Sequence, residues 1–171
     1  ALGADINFLS TACSGGNVEV VKKVLSFPKI SPNGLQTAFG KQPICCAVDV
    51  GNTEIIETLI SHPNFCADIV GESPVDLSFT RGRPEVTALI ISVYPYSEQW
   101  LPGAFASGNM EMVQVALGAV GKREITKELA VNCMRKCLLN GNFFESALKL
   151  CFETDFSPEE LLEGTPHAQE A

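Results

Sequence analysis

One glycine recurs along this chain inside the same short frame, and that frame limits what the chain can fold into. The glycines are Gly16, Gly51, Gly82, Gly108 and Gly141, separated by 35, 31, 26 and 33 residues. The residue seven places before each is aliphatic: Leu9, Ile44, Val75, Leu101 and Met134. The residue four before is small: Ala12, Ala47, Ser78, Ala104 and Cys137. Places seven and four before lie on one face of a helix. The small one lets a neighbouring helix approach, and the aliphatic one buries against it. A glycine at the end of such a helix accepts the left-handed conformation that a helix terminus often needs.

A second helix follows each glycine. Asn17, Asn52, Asn109 and Asn142 stand where an N-cap belongs, and Arg83 with Pro84 takes that place in the third unit. Glu19, Glu54, Glu85 and Glu111 fall in the first turn, where negative charge suits the helix dipole. Apolar residues then recur four, five, eight and nine places after the glycine, as in Val20, Val21, Val24 and Leu25, and again in Ile55, Ile56, Leu59 and Ile60. That is a helical stripe and not a strand alternation. Pro28, Pro63 and Pro95 close the stripes, because proline cannot continue a helix. The pattern predicts an all-α array of about five helical hairpins.

The units resemble the ankyrin repeat. The best match is Gly40–Lys41–Gln42–Pro43–Ile44, then Ala47, then Gly51–Asn52–Thr53–Glu54–Ile55–Ile56, then Leu59–Ile60. The family pattern is Gly-x-Thr-Pro-Leu-His-x-Ala, then Gly-His-x-Glu-Val-Val, then Leu-Leu. Its threonine is Gln42 in the second unit and Ser73 in the third, and its histidine is Cys45 and Asp76. The expected organisation is a single array over 1–163, with units at about 5–33, 37–67, 68–95, 96–122 and 123–156 and a short capping helix at 157–163. Residues 164–171 read as a tail. The fifth unit departs furthest from the pattern, as a terminal cap should. The 26-residue interval leaves almost no room for a connecting hairpin and predicts an irregular link there.

Composition excludes several function classes. A formal net charge of −8 does not make the basic face that nucleic acid requires. No apolar run is long enough to cross a membrane. The seven cysteines are odd in number, include no CxxC pair and often fall at core positions, so they read as reduced, buried packing residues of a cytoplasmic protein. Cys133 and Cys137, with Cys151 or His167, lack the ligand spacing of a structural zinc site. His62 and His167 are the only histidines, and neither is placed as a base for a thiol. Gly34–Gln42 has the wrong glycine spacing for a phosphate loop and no magnesium-binding hydroxyl. No enzyme, cofactor or metal is expected.

The resemblance implies a protein or peptide partner, bound by a monomer through hairpin tips and the residues just before each turn glycine. The expected binding residues are Phe39, Lys41, Asp49, Val70, Glu72, Thr80, Arg81, Ser107 and Asn140 from the resemblance, and Tyr96 from the aromatic link before the fourth unit; Phe39, Val70 and Arg81 stand out, since aromatic, apolar and arginine side chains carry most hot spots. The alternative is a regulatory or targeting ankyrin segment of a larger enzyme or of a bacterial effector.

Overall fold

The computed structural model describes residues 8–34, 41–68, 71–120, 125–138, 148–151, 153–154 and 156–162. Among them every regular element is a helix. They divide into two compact units, with the boundary between Pro95 and Tyr96. The boundary falls inside the 26-residue interval.

The first unit holds three helical hairpins: α1 (Phe8–Ser14) with α2 (Val18–Leu25), α3 (Pro43–Val50) with α4 (Thr53–Ile60), and α5 (Pro74–Arg81) with α6 (Pro84–Val93). The first helices pack in one layer, α1 on α3 and α3 on α5, and the second helices in another, α2 on α4 and α4 on α6. The second unit contains α7 (Trp100–Ala106), α8 (Met110–Val120), α9 (Lys127–Leu138) and α10 (Pro158–Leu162). There α7 packs on α8 and on α9, and α9 on α10.

The repeated frame has a physical basis at each position. Gly16, Gly51, Gly82 and Gly108 all take positive φ between the two helices of a hairpin. Gly141 lies outside the described residues. Leu9, Ile44, Val75, Leu101 and Met134 are buried, as are Ala47, Ser78, Ala104 and Cys137. The side chains of Asn17 and Asn52 accept hydrogen bonds from Val20 N–H and Ile55 N–H at 3.2 and 3.1 Å. Asn109 accepts from Glu111 N–H at 2.9 Å. Arg83 makes no side-chain cap. A guanidinium carries only donors, so it has nothing to offer a helix N–H.

The hairpins are also laced to one another by polar side chains. The Asn52 amide donates to the Gly16 carbonyl at 3.1 Å. Arg83 Nη1 donates to the Asp49 and Val48 carbonyls at 3.2 and 3.5 Å, satisfying the last turn of α3. Asn33 is bonded twice to the next loop, donating to Asn64 O at 2.9 Å and accepting from Cys66 N–H at 2.8 Å. These contacts join residues 31 to 36 apart in sequence, one repeat length.

Two expectations are corrected. The stripe of α2 is incomplete: Val20 is 47% exposed, whereas Ile55, Val86 and Met112, in the same register, are fully buried. Among the described residues α4 is flanked by α2 and α6, but α2 has only α4 beside it in that layer. The cysteines are not all buried. Cys13, Cys45, Cys46, Cys133 and Cys137 are, but Cys66 is exposed and Cys151 half-buried, and all seven are free thiols. Cys66 sits in the loop after α4, where its thiol donates to Asp68 at 3.0 Å.

The last described helix of the second unit is capped at its start. Ser157 and Glu160 form a reciprocal capping box, with Glu160 N–H donating to Ser157 Oγ at 3.3 Å and Ser157 N–H to the Glu160 carboxylate at 2.8 Å. Leu161 is buried on the helix they start. The tail at 164–171 lies outside the described residues.

Candidate functional site

Four of the ten residues implied as binding residues meet in one ion-pair row on the first unit. Lys41 precedes α3 by two residues and Asp49 stands in its last turn, whereas Glu72 precedes α5 and Arg81 ends it. Their side chains alternate in charge. Glu72 pairs with Lys41 at 2.9 Å, Lys41 with Asp49, and Asp49 with Arg81 at 2.6 Å. Arg81 Nε adds a second bond to the same Asp49 oxygen at 2.7 Å. Ser10, from α1, donates its hydroxyl to the Lys41 carbonyl at 3.0 Å, so the row touches all three hairpins. Asp49 is its centre and its least exposed member, at 27% of its side chain, while Glu72 and Arg81 at the two ends are about half exposed.

The charges hold one another ionised. Burial works against the Asp49 charge, but hydrogen bonds from Lys41 and Arg81 outweigh it and hold the carboxyl below its usual range. Burial likewise opposes the Lys41 ammonium, and its bonds to Asp49 and Glu72 outweigh that and raise its pKa. The sign for stability follows. A depressed folded-state carboxyl contributes stability that is complete above its unfolded value, near 3.8, and is lost as pH falls through the lower folded value. We therefore expect Asp49→Asn to cost about 1 kcal/mol at pH 7, a magnitude set by partly exposed, charge-assisted pairs. In urea titrations across pH, that difference should be flat from about pH 5 upward and close below about pH 4, where wild type loses the same bonds.

The remaining implied residues are placed differently. Thr80 is exposed beside Arg81, and its hydroxyl donates back to Asp76 O at 2.9 Å. Tyr96 and Ser107 belong to the second unit. The Tyr96 ring lies edge-on to Trp100, with centroids 5.5 Å apart, and Ser107 Oγ donates to Ala104 O at 2.6 Å. Phe39, Val70 and Asn140 lie outside the described residues. Sequence reasoning missed Ser10, and it missed that Arg83 serves the preceding hairpin and not its own helix.

Among the described residues no group of three His, Cys, Asp or Glu side chains could hold a metal ion. No helix among them is long and apolar enough to cross a membrane. Desolvation pushes the Cys13 and Cys45 thiols up to about 12 and Cys133 higher still, so these three stay protonated and unreactive near neutral pH.

Comparison with known proteins agrees with the geometry. The chain is similar to the crystal structure of EF0377, an ankyrin repeat protein, with a TM-score of 0.54 over 80% of this chain and 81% of that one. This chain has an ankyrin-repeat-like fold. Sequence identity across the match is 18%, so the likeness is one of architecture. No family model and no curated protein matches the sequence. The repeat itself keeps only part of the family pattern. Its ankyrin-like signature is altered where the family pattern is most distinctive, at Gln42, Cys45 and Asp76, while the positions that need only to be small, apolar or glycine are kept.

Proposed function

We propose that this chain is a non-catalytic, monomeric protein-interaction module of the cytoplasm, and that its partner docks on the row formed by Glu72, Lys41, Asp49, Arg81 and the neighbouring Thr80. The row itself carries this reading. It joins three hairpins, it presents both signs of charge on a fixed spacing, and its end groups keep half their surface for a partner. Among the described residues both Arg81 contacts reach one Asp49 oxygen, through Nε and Nη2, which leaves further guanidinium donors for an acceptor on the partner. The protein's ankyrin-like architecture supports a protein partner, since such arrays present extended binding surfaces rather than enclosed pockets. Seven free thiols support a reducing compartment.

The test is affinity capture with the purified chain, followed by titration of each captured protein after purification. Arg81→Glu puts a second negative charge beside Asp49 at a half-exposed position and should fold normally by circular dichroism. We expect it to weaken binding at least tenfold, about 1.4 kcal/mol. Ser107→Ala, in the second unit, should leave the affinity within twofold. A partner that binds both variants as tightly as wild type docks elsewhere, and the row is then only a staple between hairpins.

A further inference from the structure

Two of the places where the second hairpin departs from the ankyrin pattern, Gln42 and Cys45, reach across to the same segment of the third. Gln42 stands at the N-cap of α3 but makes no side-chain cap bond. It is 6% exposed, its Nε2 donates to the Asp68 carbonyl at 3.3 Å, and its buried Oε1 has no hydrogen-bond partner among the described residues. Cys45, fully buried one turn later, donates its thiol to the Glu72 carbonyl at 3.4 Å. The equivalent N-cap of the next hairpin shows what Gln42 gives up: Ser73 Oγ accepts from Asp76 N–H at 3.2 Å. A glutamine here costs the helix its cap and leaves an acceptor unpaired in the interior, and both are destabilising.

We infer that Gln42 and Cys45 are positioning residues, which clamp the backbone at Asp68 and Glu72 and so hold the Glu72 carboxylate against Lys41, at the expense of helix α3's own stability. Local rules are broken in folded proteins chiefly where function requires it. Here the broken cap, the orphan oxygen and the two cross-hairpin bonds all lie beside one end of the ion-pair row. The Lys41 carbonyl is tied to Ser10 and its ammonium to Glu72, so both partners of the outermost pair are fixed through their backbones. The functional meaning of the clamp rests on the row being the docking surface; the clamp itself does not.

Opposed signs test it with no partner present. Gln42→Thr removes the orphan acceptor and restores a capping hydroxyl, and it should raise Tm by about 2–4 °C for a chain of this size. The same substitution should speed amide exchange about tenfold at Cys66, whose N–H is bonded to Asn33, because the segment loses its tie to α3. At the second position Cys45→Ser keeps a donor for Glu72 O and should keep the wild-type exchange at Cys66, whereas Cys45→Ala should speed it. A fall in Tm for Gln42→Thr would mean that glutamine is simply the better core residue there. Unchanged exchange in Gln42→Thr and Cys45→Ala would mean that neither residue positions the segment. Either result overturns the inference. Failure of Arg81→Glu to affect binding, with these signs intact, would instead remove the docking row and leave the clamp.

Discussion

Ile55→Ala should destabilise the first unit by about 3–4 kcal/mol, and Val20→Ala by no more than about 0.5 kcal/mol, although the two residues hold the same place in the repeat. Both stand four residues after a turn glycine, in the first turn of the hairpin's second helix, just behind a capping asparagine. Ile55 is fully buried, and Ile56 and Leu59 beside it are buried too, so truncation removes three carbons from an interior that cannot close over the gap. Val20 keeps nearly half its surface in water already, so truncation there forfeits little burial and makes no cavity. Urea unfolding followed by far-ultraviolet circular dichroism checks the pair, with a large drop in midpoint at unchanged slope expected for Ile55→Ala alone. Equal effects at the two positions would mean that register, and not the presence of a helix on each flank, sets the energetics of this layer.

The contrast also shows what a sequence of this kind can and cannot disclose. Most of what depends on a residue and its own helix was legible. Gly16, Gly51, Gly82 and Gly108 are required by backbone conformation, and Asn17, Asn52 and Asn109 cap because an amide oxygen beside free N–H groups will do so anywhere. The burial of Ile44, Val75 and Leu101 follows from helical spacing. Val20 misleads because its exposure is decided by what flanks α2, which its own stripe does not encode.

The candidate site divides along the same line. Lys41, Asp49, Glu72 and Arg81 were identifiable one by one, as hairpin-tip and end-of-helix positions of an ankyrin-like unit. Their pairing was not, since Asp49 and Arg81 lie 32 residues apart and meet only when two hairpins stack in register. Arg83 could have been read better. It has donors and no acceptor, so at an N-cap its side chain had to serve carbonyls elsewhere, and the last turn of the preceding helix is where unpaired carbonyls accumulate. Gln42 and Cys45 were visible as departures from the pattern, but nothing in the sequence said that both would reach the segment ending at Glu72.

Gly51→Ala should cost about 2–3 kcal/mol, and part of that cost should vanish when Arg83 is removed as well. Gly51 has φ 76° and ends α3, its N–H donating to Ala47 O at 2.9 Å. An L-residue in this left-handed conformation is strained by about 1–2 kcal/mol whatever surrounds it. The surroundings add a second term. A β-carbon on residue 51 would stand 1.7 Å from Arg83 Nη1 and 2.4 Å from its Cζ, an overlap that only movement of the guanidinium can relieve. Moving it breaks the bonds to the Val48 and Asp49 carbonyls, each worth on the order of 0.5–1 kcal/mol net. Gly82 provides the control. It has φ 66°, and a β-carbon there would meet nothing within 4 Å, so Gly82→Ala should show the backbone cost alone, about 1–2 kcal/mol. In a double-mutant cycle, Gly51→Ala in an Arg83→Ala background should fall to the Gly82→Ala value, with a coupling of about 1 kcal/mol. A coupling near zero would mean that Arg83 swings away freely, and that its bonds to α3 contribute nothing to holding the second and third hairpins together.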